Sequence, residues 1–320
     1  MDILIIGVSS VFVRRVLPAL LSLDCVDKIH ISSRREAVDI SIPENRRGEF
    51  FFGYDKALRM FSGDLVYISL PNSLHYEWVR RTLQSGFHVI VDKPAFLNWG
   101  EASSNLLLAK RKNLCLAEAT VWPFHPQVEA VQRKFSELRS EPRLIQAVFS
   151  FPPLSAENFR NNTKLGGGSF YDLLSYAVTP GRVFFNDTPT TLSIEILSKC
   201  SKSDIDTSFA LNAIYPRGRV FQGFFGFRTE YKNTLLLLGQ GLSVTLEPAF
   251  TFTNSLSAVL GARIGSEGVN IDYKPADCFA VFFRSVIRSV LAGEWACWSD
   301  TLQRDAVVMR RAAEVAQEHL

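Results

Sequence analysis

Two stretches of the chain hold side chains able to do chemistry. The first is His88-Val89-Ile90-Val91-Asp92-Lys93-Pro94, a β-branched run ending in an acid, a lysine and a proline. Such a run reads as a buried strand closed by its proline. In an open parallel sheet, ligands sit beyond the carboxyl ends of the strands. Asp92 and Lys93 therefore stand at the rim of any pocket the sheet makes. An ammonium there stabilises a developing anion; the competing reading is a solvated loop lysine. The second stretch is Gly166-Gly167-Gly168, read as a flexible turn, followed by a helical pattern from Phe170 to Val183. Asp172 and Tyr176 are four residues apart and share one face of that helix. A phenol can give a proton to a carbonyl oxygen, and a carboxylate can hold a hydroxyl. Their competing readings are a first-turn acid favoured by the helix dipole and an amphipathic core tyrosine.

The elements that position Lys93 are legible in order. Ile3 to Ile6 forms a first strand, and Gly7-Val8-Ser9-Ser10-Val11-Phe12 stands where a dinucleotide fold places its phosphate turn. Only Gly7 of the usual three glycines is present. Ser9 takes the second place, where its backbone N–H and hydroxyl can both donate to a pyrophosphate. A helical pattern from Val11 to Leu23 follows, kinked or delayed by Pro18. The second strand, Lys28 to Ile31, ends in Ser32-Ser33-Arg34-Arg35 rather than in the acid that holds a ribose 2′-hydroxyl. Hydroxyls and guanidiniums suit a 2′-phosphate, so NADP(H) is preferred over NAD(H), with Ser33, Arg34 and Arg35 as its ligands. The alternative is a surface arginine pair. Strands at Phe50 to Phe52 and Leu65 to Leu70 flank a helix near Asp55 to Phe61. Asn72 or Ser73 is placed to cap a helix that runs to Gln84, with Gly86 as its stop. His75 falls in the first turn of that helix, and a capping or packing role competes with a ligand role. A helix from Asn98 to Lys112 and a strand at Leu114 to Ala117 complete six strand–helix alternations, the pattern of a doubly wound sheet.

Beyond Pro123 the pattern changes. Strand-like runs recur at Leu144 to Phe151, Thr191 to Leu197, Phe209 to Ile214, Arg219 to Phe225, Thr234 to Gly239 and Leu242 to Leu246. Few helices interrupt them, which predicts a mostly antiparallel sheet. The fold class is therefore α/β: an N-terminal Rossmann sheet over residues 1–122, then an α+β domain over 123–320 with a large, mostly antiparallel open sheet. Phe221, Phe224, Phe225 and Phe227 cluster on one strand, and an aromatic face must be covered by helices or by another subunit.

Composition removes several classes. With 47% hydrophobic and 21% charged residues, the chain has an ordinary globular balance. A net charge of +3, with arginine pairs scattered along the chain, gives no nucleic-acid surface. Five well-separated cysteines form neither a CxxC pair nor a metal set, and an odd count cannot pair completely within the chain. No metal is expected, and a reducing cytoplasm is the simplest setting. No basic region precedes the first apolar run, so a signal peptide is not expected. The richest apolar span, Phe279 to Leu291, carries Arg284 and Arg288, and no membrane helix is expected.

Four motifs carry a family resemblance. They are Pro71-Asn72-Ser73-Leu74-His75, Gly86 to Pro94, Glu118-Ala119 with Phe124-His125-Pro126-Gln127, and Gly166-Gly167-Gly168-Ser169-Phe170-Tyr171-Asp172-Leu173. In this order and spacing the chain resembles the glucose-fructose oxidoreductase / inositol dehydrogenase (Gfo/Idh/MocA) family. The usual glutamate-lysine-proline appears as Asp92-Lys93-Pro94. The usual tyrosine-arginine appears as Trp122-Pro123, so nothing is carried over for that arginine. The resemblance implies a cofactor held by Gly7, Ser9, Ser10, Val11, Leu70, Pro71, Asn72, His75, Asp92 and Lys93. It implies Lys93 and Tyr176 as catalytic residues, with Lys93, Asp172 and Tyr176 at the substrate. It also implies a homodimer or homotetramer through the C-terminal sheet. Gly7-Val8-Ser9-Ser10 with Arg14-Arg15-Val16-Leu17-Pro18-Ala19-Leu20, Arg228-Thr229-Glu230-Tyr231-Lys232-Asn233 with Leu238-Gly239, and Ala249-Phe250-Thr251 are similar to the branch of NADPH-dependent ketoreductases acting on nucleotide-linked 3-keto sugars. The expected reaction moves hydride between the nicotinamide and a sugar carbonyl, with Tyr176 as acid and Lys93 as its electrostatic partner. A dehydrogenase of free sugars, polyols or dihydrodiols is the alternative enzyme. A sensor or assembly subunit that binds NADPH without turnover is the alternative outside enzymes.

Overall fold

Six short strands build the first sheet: β1 (Ile3–Ile6), β2 (Ile29–Ser33), β3 (Arg47–Phe52), β4 (Leu65–Ile68), β5 (His88–Val91) and β6 (Leu116–Glu118). All are parallel, in the order β3-β2-β1-β4-β5-β6. Every residue of β1 and β4 is buried, as expected for central strands covered on both faces. The strand order reverses between β1 and β4, the point where such sheets bind ligands. Four helices intervene: α1 (Leu17–Leu21), α2 (Tyr54–Met60), α3 (His75–Gln84) and α4 (Trp99–Lys112). The helix expected over Val11 to Leu23 is split. Phe12–Val16 forms a π-type turn, and α1 is short, with Pro18 in its first turn where the missing N–H costs nothing.

The second sheet holds eight strands: β7 (Pro142–Phe151), β8 (Thr191–Lys199), β9 (Asp206–Tyr215), β10 (Arg219–Phe227), β11 (Lys232–Gly239), β12 (Leu242–Glu247), β13 (Val259–Ile264) and β14 (Glu267–Val269). Their order is β14-β13-β12-β11-β7-β10-β9-β8, and only β7 with β10 is parallel. The last two strands are short and carry no strong apolar alternation, so the sequence pattern does not announce them. Two helices belong with this sheet, α5 (Pro126–Glu137) and α6 (Ser169–Pro180). Phe170 of α6 meets Phe209 edge-on at 5.5 Å, and Phe209 stacks on Phe225 at 5.2 Å. Phe221, Phe225 and Phe227 are buried within the chain itself, Phe225 beneath Phe209 and Phe227 against Phe151. Of the aromatic cluster on β10, only Phe224 is half-buried.

This computed structural model describes every residue except 156, 202–204, 253–258 and 319–320. The chain divides into two units, Met1–Val121 with Asp277–Gln303, and Trp122–Ala276 with Arg304–Leu320. The expected division at residue 122 has no place for the late segment that rejoins the first unit: α7 (Cys278–Ala292) and the start of α8 (Ala296–Glu318). Packing explains the return. Tyr67 of β4 meets Phe283 of α7 edge-on at 5.4 Å, Arg15 lies 5.2 Å from the Phe279 ring, and His88 meets Trp295 at 4.6 Å. Among the described residues, no helix is long and apolar enough to cross a membrane.

Candidate active site

The turn after β1 is held too tightly for a side chain at its first position. Gly7 has φ +91°, and a Cβ there would lie 2.4 Å from the Ser69 carbonyl and 2.5 Å from Leu70 Cδ2. Ser9 departs from expectation. Its Oγ accepts the Phe12 N–H at 3.0 Å and lies 2.7 Å from Ser69 Oγ, so its hydroxyl faces inward rather than toward a pyrophosphate. Ser10 is exposed and Val11 half-buried at the mouth of the turn. At the end of β2, Ser33 Oγ accepts the Arg35 N–H at 3.0 Å. Arg34 and Arg35 are exposed, and the Arg34 guanidinium stands 5.9 Å from the Tyr54 ring. Ser32 Oγ is fully buried with no hydrogen-bond partner. A glycine-only turn, an orphaned hydroxyl and two exposed guanidiniums in place of a ribose-binding acid fit a phosphorylated dinucleotide.

The ends of β4 and β5 form a polar knot under Lys93. Tyr67 donates to Asp92 Oδ1, and Ser69 donates to Asp92 Oδ2 at 2.8 Å. Burial raises the Asp92 carboxyl above the usual carboxylate range; Tyr67, His75, Ser69 and Lys93 oppose that rise. Burial, reinforced by Asp92, pushes the Tyr67 phenol well above its ordinary value. His75 is buried, with Nδ1 2.8 Å from the Pro94 carbonyl and Nε2 2.8 Å from the Leu70 carbonyl. Burial lowers its basicity, against the pull of Asp92 and the two carbonyls. A neutral imidazole has one N–H, so one of these carbonyls receives it and the ring stands between the two loops. His75 joins the loop after β4 to the loop after β5 and can serve a cofactor only by holding Leu70 and Pro94 in place. Neither Asn72 nor Ser73 caps α3. Asn72 is buried in a 3-10 turn over Asn72–Leu74, and Pro71 precedes it half-buried. Glu118 explains its own motif. Its Oε2 accepts the Ala95 N–H at 2.8 Å and its Oε1 accepts from Thr120, fixing the chain just past Lys93-Pro94.

In the second unit, the triple glycine is closely packed rather than flexible. A Cβ on Gly167 would lie 2.6 Å from the Arg160 carbonyl, and one on Gly168, at φ +107°, would lie 2.3 Å from Asp206 Oδ1. That closeness lets Asp206 accept from Ser169 Oγ at 2.7 Å and from the Phe170 N–H at 2.5 Å, anchoring the start of α6. Asp172 and Tyr176 share a face of α6 as expected, and both are buried. Asp172 Oδ2 pairs with Arg160 Nε at 2.7 Å. Tyr176 is walled by Phe149 at 5.0 Å and Phe250 at 5.2 Å. Phe250 is itself fixed by Asn233, whose Oδ1 accepts the N–H groups of Ala249 and Phe250 and whose Nδ2 donates to Thr251. Two motifs 16 to 18 residues apart in sequence thus form one hydrogen-bonded corner. Trp122 replaces a polar family position by packing. It is buried, donates to Thr179 Oγ1 at 3.0 Å and meets Phe250 edge-on.

The structure thus gathers Gly7, Ser9, Leu70, His75, Asp92 and Lys93 at the strand ends of the first unit. Asp172 and Tyr176 lie together in the second. Tyr67, Ser69 and Arg160 were not singled out from the sequence. Tyr67 and Ser69 carried a signal, since they stand two apart at the end of an apolar strand and so share a face. Among the described residues, no group of His, Cys, Asp or Glu could hold a metal ion.

A six-stranded parallel sheet with a glycine turn at its switch point defines a dinucleotide-binding fold. Residues 1–120 match the family GFO_IDH_MocA, described as an oxidoreductase family with an NAD-binding Rossmann fold. That match covers the first unit's strands and leaves the second sheet outside it. The chain is 29% identical over 266 residues to a dTDP-3,4-didehydro-2,6-dideoxy-alpha-D-glucose 3-reductase of Saccharopolyspora spinosa, covering 83% of this chain and 79% of that one. It is 28% identical over 296 residues to D-xylose 1-dehydrogenase (NADP(+)) 2 of Haloferax volcanii, covering 91% and 89%. The crystal structure of a 3-ketoreductase from Actinomadura kijaniata in complex with NADP and TDP-benzene is similar with a TM-score of 0.90 at 26% identity, covering 99% of this chain and 98% of that one.

Proposed function

We propose that this oxidoreductase uses NADPH to reduce the keto group of a nucleotide-linked 3-keto sugar. The observation that carries the reading is the α6 face, where Tyr176 stands one turn from an Asp172 held by Arg160. The names of the Saccharopolyspora and Actinomadura proteins support the substrate class, and NADP in the Actinomadura crystal supports the cofactor. NADPH, when bound, supplies the hydride. Gly7, Ser9, Ser10 and Val11 would hold the pyrophosphate through the backbone of the turn. Ser33, Arg34 and Arg35 would hold the 2′-phosphate, and Leu70, Pro71 and Asn72 would complete the cofactor site. As the keto oxygen gains charge, Tyr176 gives it the phenolic proton and Lys93 stabilises the charge. Asp172 accepts a neighbouring sugar hydroxyl.

The xylose dehydrogenase likeness supports a second reading, oxidation of a free sugar by the same residues. None of the five cysteines is in a disulfide, which suits the reducing cytoplasm. The face of the second sheet opposite α6 carries Leu144, Val148, Phe224, Leu236 and Leu238 half-buried, around an exposed Gln146–Gln222 hydrogen bond of 3.0 Å. That face suits a homodimer or homotetramer.

The deciding experiment is turnover with a TDP-linked 3-keto sugar after titration with NADPH and NADH. NADPH binds tighter, and Arg34→Ala weakens it about ten- to hundredfold while sparing NADH, as loss of a charge-assisted contact requires. Tyr176→Phe lowers turnover about 10²–10⁴-fold with NADPH affinity retained, and Lys93→Ala lowers it by as much or more. An unimpaired Lys93→Ala enzyme overturns the mechanism. Turnover with free sugars alone moves the substrate to the second reading.

A further inference from the structure

With Asp92 ionised, the knot under Lys93 has one consistent arrangement of protons. Ser69 spends its single hydroxyl proton on Asp92 Oδ2 at 2.8 Å. The 2.7 Å contact between Ser69 and Ser9 must then be a donation from Ser9. Ser9 in turn receives the Phe12 N–H at 3.0 Å. Tyr67 completes the carboxylate from the other side by donating to Oδ1. The chain of donors runs from the turn after β1, across the end of β4, to the residue that precedes Lys93. It exists because Ser9 stands where the dinucleotide turn usually has its second glycine, which has no hydroxyl to give.

We propose that Ser9 and Ser69 are positioning residues that tie the phosphate turn to Lys93 through Asp92. The turn and the Lys93 loop then move as one hydrogen-bonded body. Asp92 acts by orienting its neighbour rather than by touching the cofactor. The backbone is what remains to Ser9 for pyrophosphate binding. The coupling deepens the proposed function and rests on Lys93 acting in the reaction.

The geometry also supplies a readout apart from turnover. The groups facing Asp92 are Tyr67 and Ser69 from β4 and its end, His75 from α3, and Lys93 from its own loop. Ser69 is one of the groups that hold the carboxyl down, so removing its hydroxyl raises the carboxyl further. Carbon NMR titration of the Asp92 carboxyl is measured on cofactor-free protein for wild type, Ser9→Gly, Ser9→Thr, Ser69→Ala and the double variant Ser9→Gly/Ser69→Ala. Glycine is a tolerated helix cap, so Ser9→Gly leaves the fold in place. The carboxyl titrates higher in Ser69→Ala, moves the same way by less in Ser9→Gly, and stays in place in Ser9→Thr, which keeps the hydroxyl. In turnover, each hydroxyl-less variant loses kcat about tenfold. The double variant loses no more than the worse single one, because one chain broken twice is still one broken chain. NADPH affinity stays within about threefold, since the backbone donors remain.

Additive losses in the double variant, an unmoved carboxyl titration, or a shifted titration with unchanged kcat each overturn the coupling. Lys93→Ala run alongside separates the two levels. Full activity there removes the proposed mechanism itself. Loss there, with additive effects at Ser9 and Ser69, removes only the coupling.

Discussion

Asp92 and Asp172 stand at comparable places in the two units, each beside a proposed catalytic side chain, and they are held by different kinds of donor. Asp92 takes two hydroxyls, from Tyr67 and Ser69. Asp172 takes a guanidinium, from Arg160. Burial raises the Asp92 carboxyl's affinity for a proton, the two hydroxyl donors only partly oppose that rise, and neither cancels the carboxylate's charge near Lys93. A guanidinium offsets the charge as well, so the Asp172 carboxylate on the Tyr176 face of α6 is ion-paired. A carboxylate so paired suits a phenol that must hold its proton until the substrate oxygen takes it. A negative surrounding suits a lysine that must stay an ammonium.

The comparison fixes an order of effects. Arg160→Met has the largest, because it takes the guanidinium away from the buried Asp172 carboxylate; by chemical denaturation it loses about 3–5 kcal/mol. Arg160→Met/Asp172→Leu recovers most of that loss, because no charge is stranded. Tyr67→Phe removes one of two hydroxyl donors to Asp92 and loses about 1.5–3 kcal/mol in the same measurement. A Tyr67→Phe loss larger than that of Arg160→Met would break the comparison.

The smallest effect separates the units by pH. His125 caps α5 through Nδ1, stacks on Phe252 at 3.9 Å, and is pushed by burial from 6.5 to about 4. Between those values the unfolded chain binds a proton that the native chain refuses, so His125 makes stability fall as pH falls from 6.5 to 4. Asp92 has the opposite sign. Its native carboxyl titrates above 3.8, so its share of stability is greatest at low pH and is lost as pH rises through that window. His125→Asn keeps a capping oxygen and flattens the fall of Tm across the histidine window. Tyr67→Phe steepens the carboxylate's contribution instead.

Much of this was legible in the residues. β1, β2, β4, β5 and β6 follow from apolar runs, and Asp172 with Tyr176 follows from helical spacing. What the residues hid was of two kinds. Ser9 looked available to a pyrophosphate, and only the proximity of Ser69, 60 positions away, turns its hydroxyl inward. Gly167 and Gly168 looked like freedom, but Arg160 and Asp206 press against the space a side chain would fill.

By itself, then, the sequence determined the alternation of strands and helices, the glycine turn, the absence of a ribose-binding acid after β2, and the register of the α6 face. Each depends on neighbours within about one helical turn or one pleat, where periodicity reports burial directly. Only the tertiary structure decided which donors hold Asp92 and Asp172, that His75 clamps two loops, and that residues 277–303 return to the first unit. Those outcomes depend on which strands become adjacent and which helix covers them, and no local pattern records that choice.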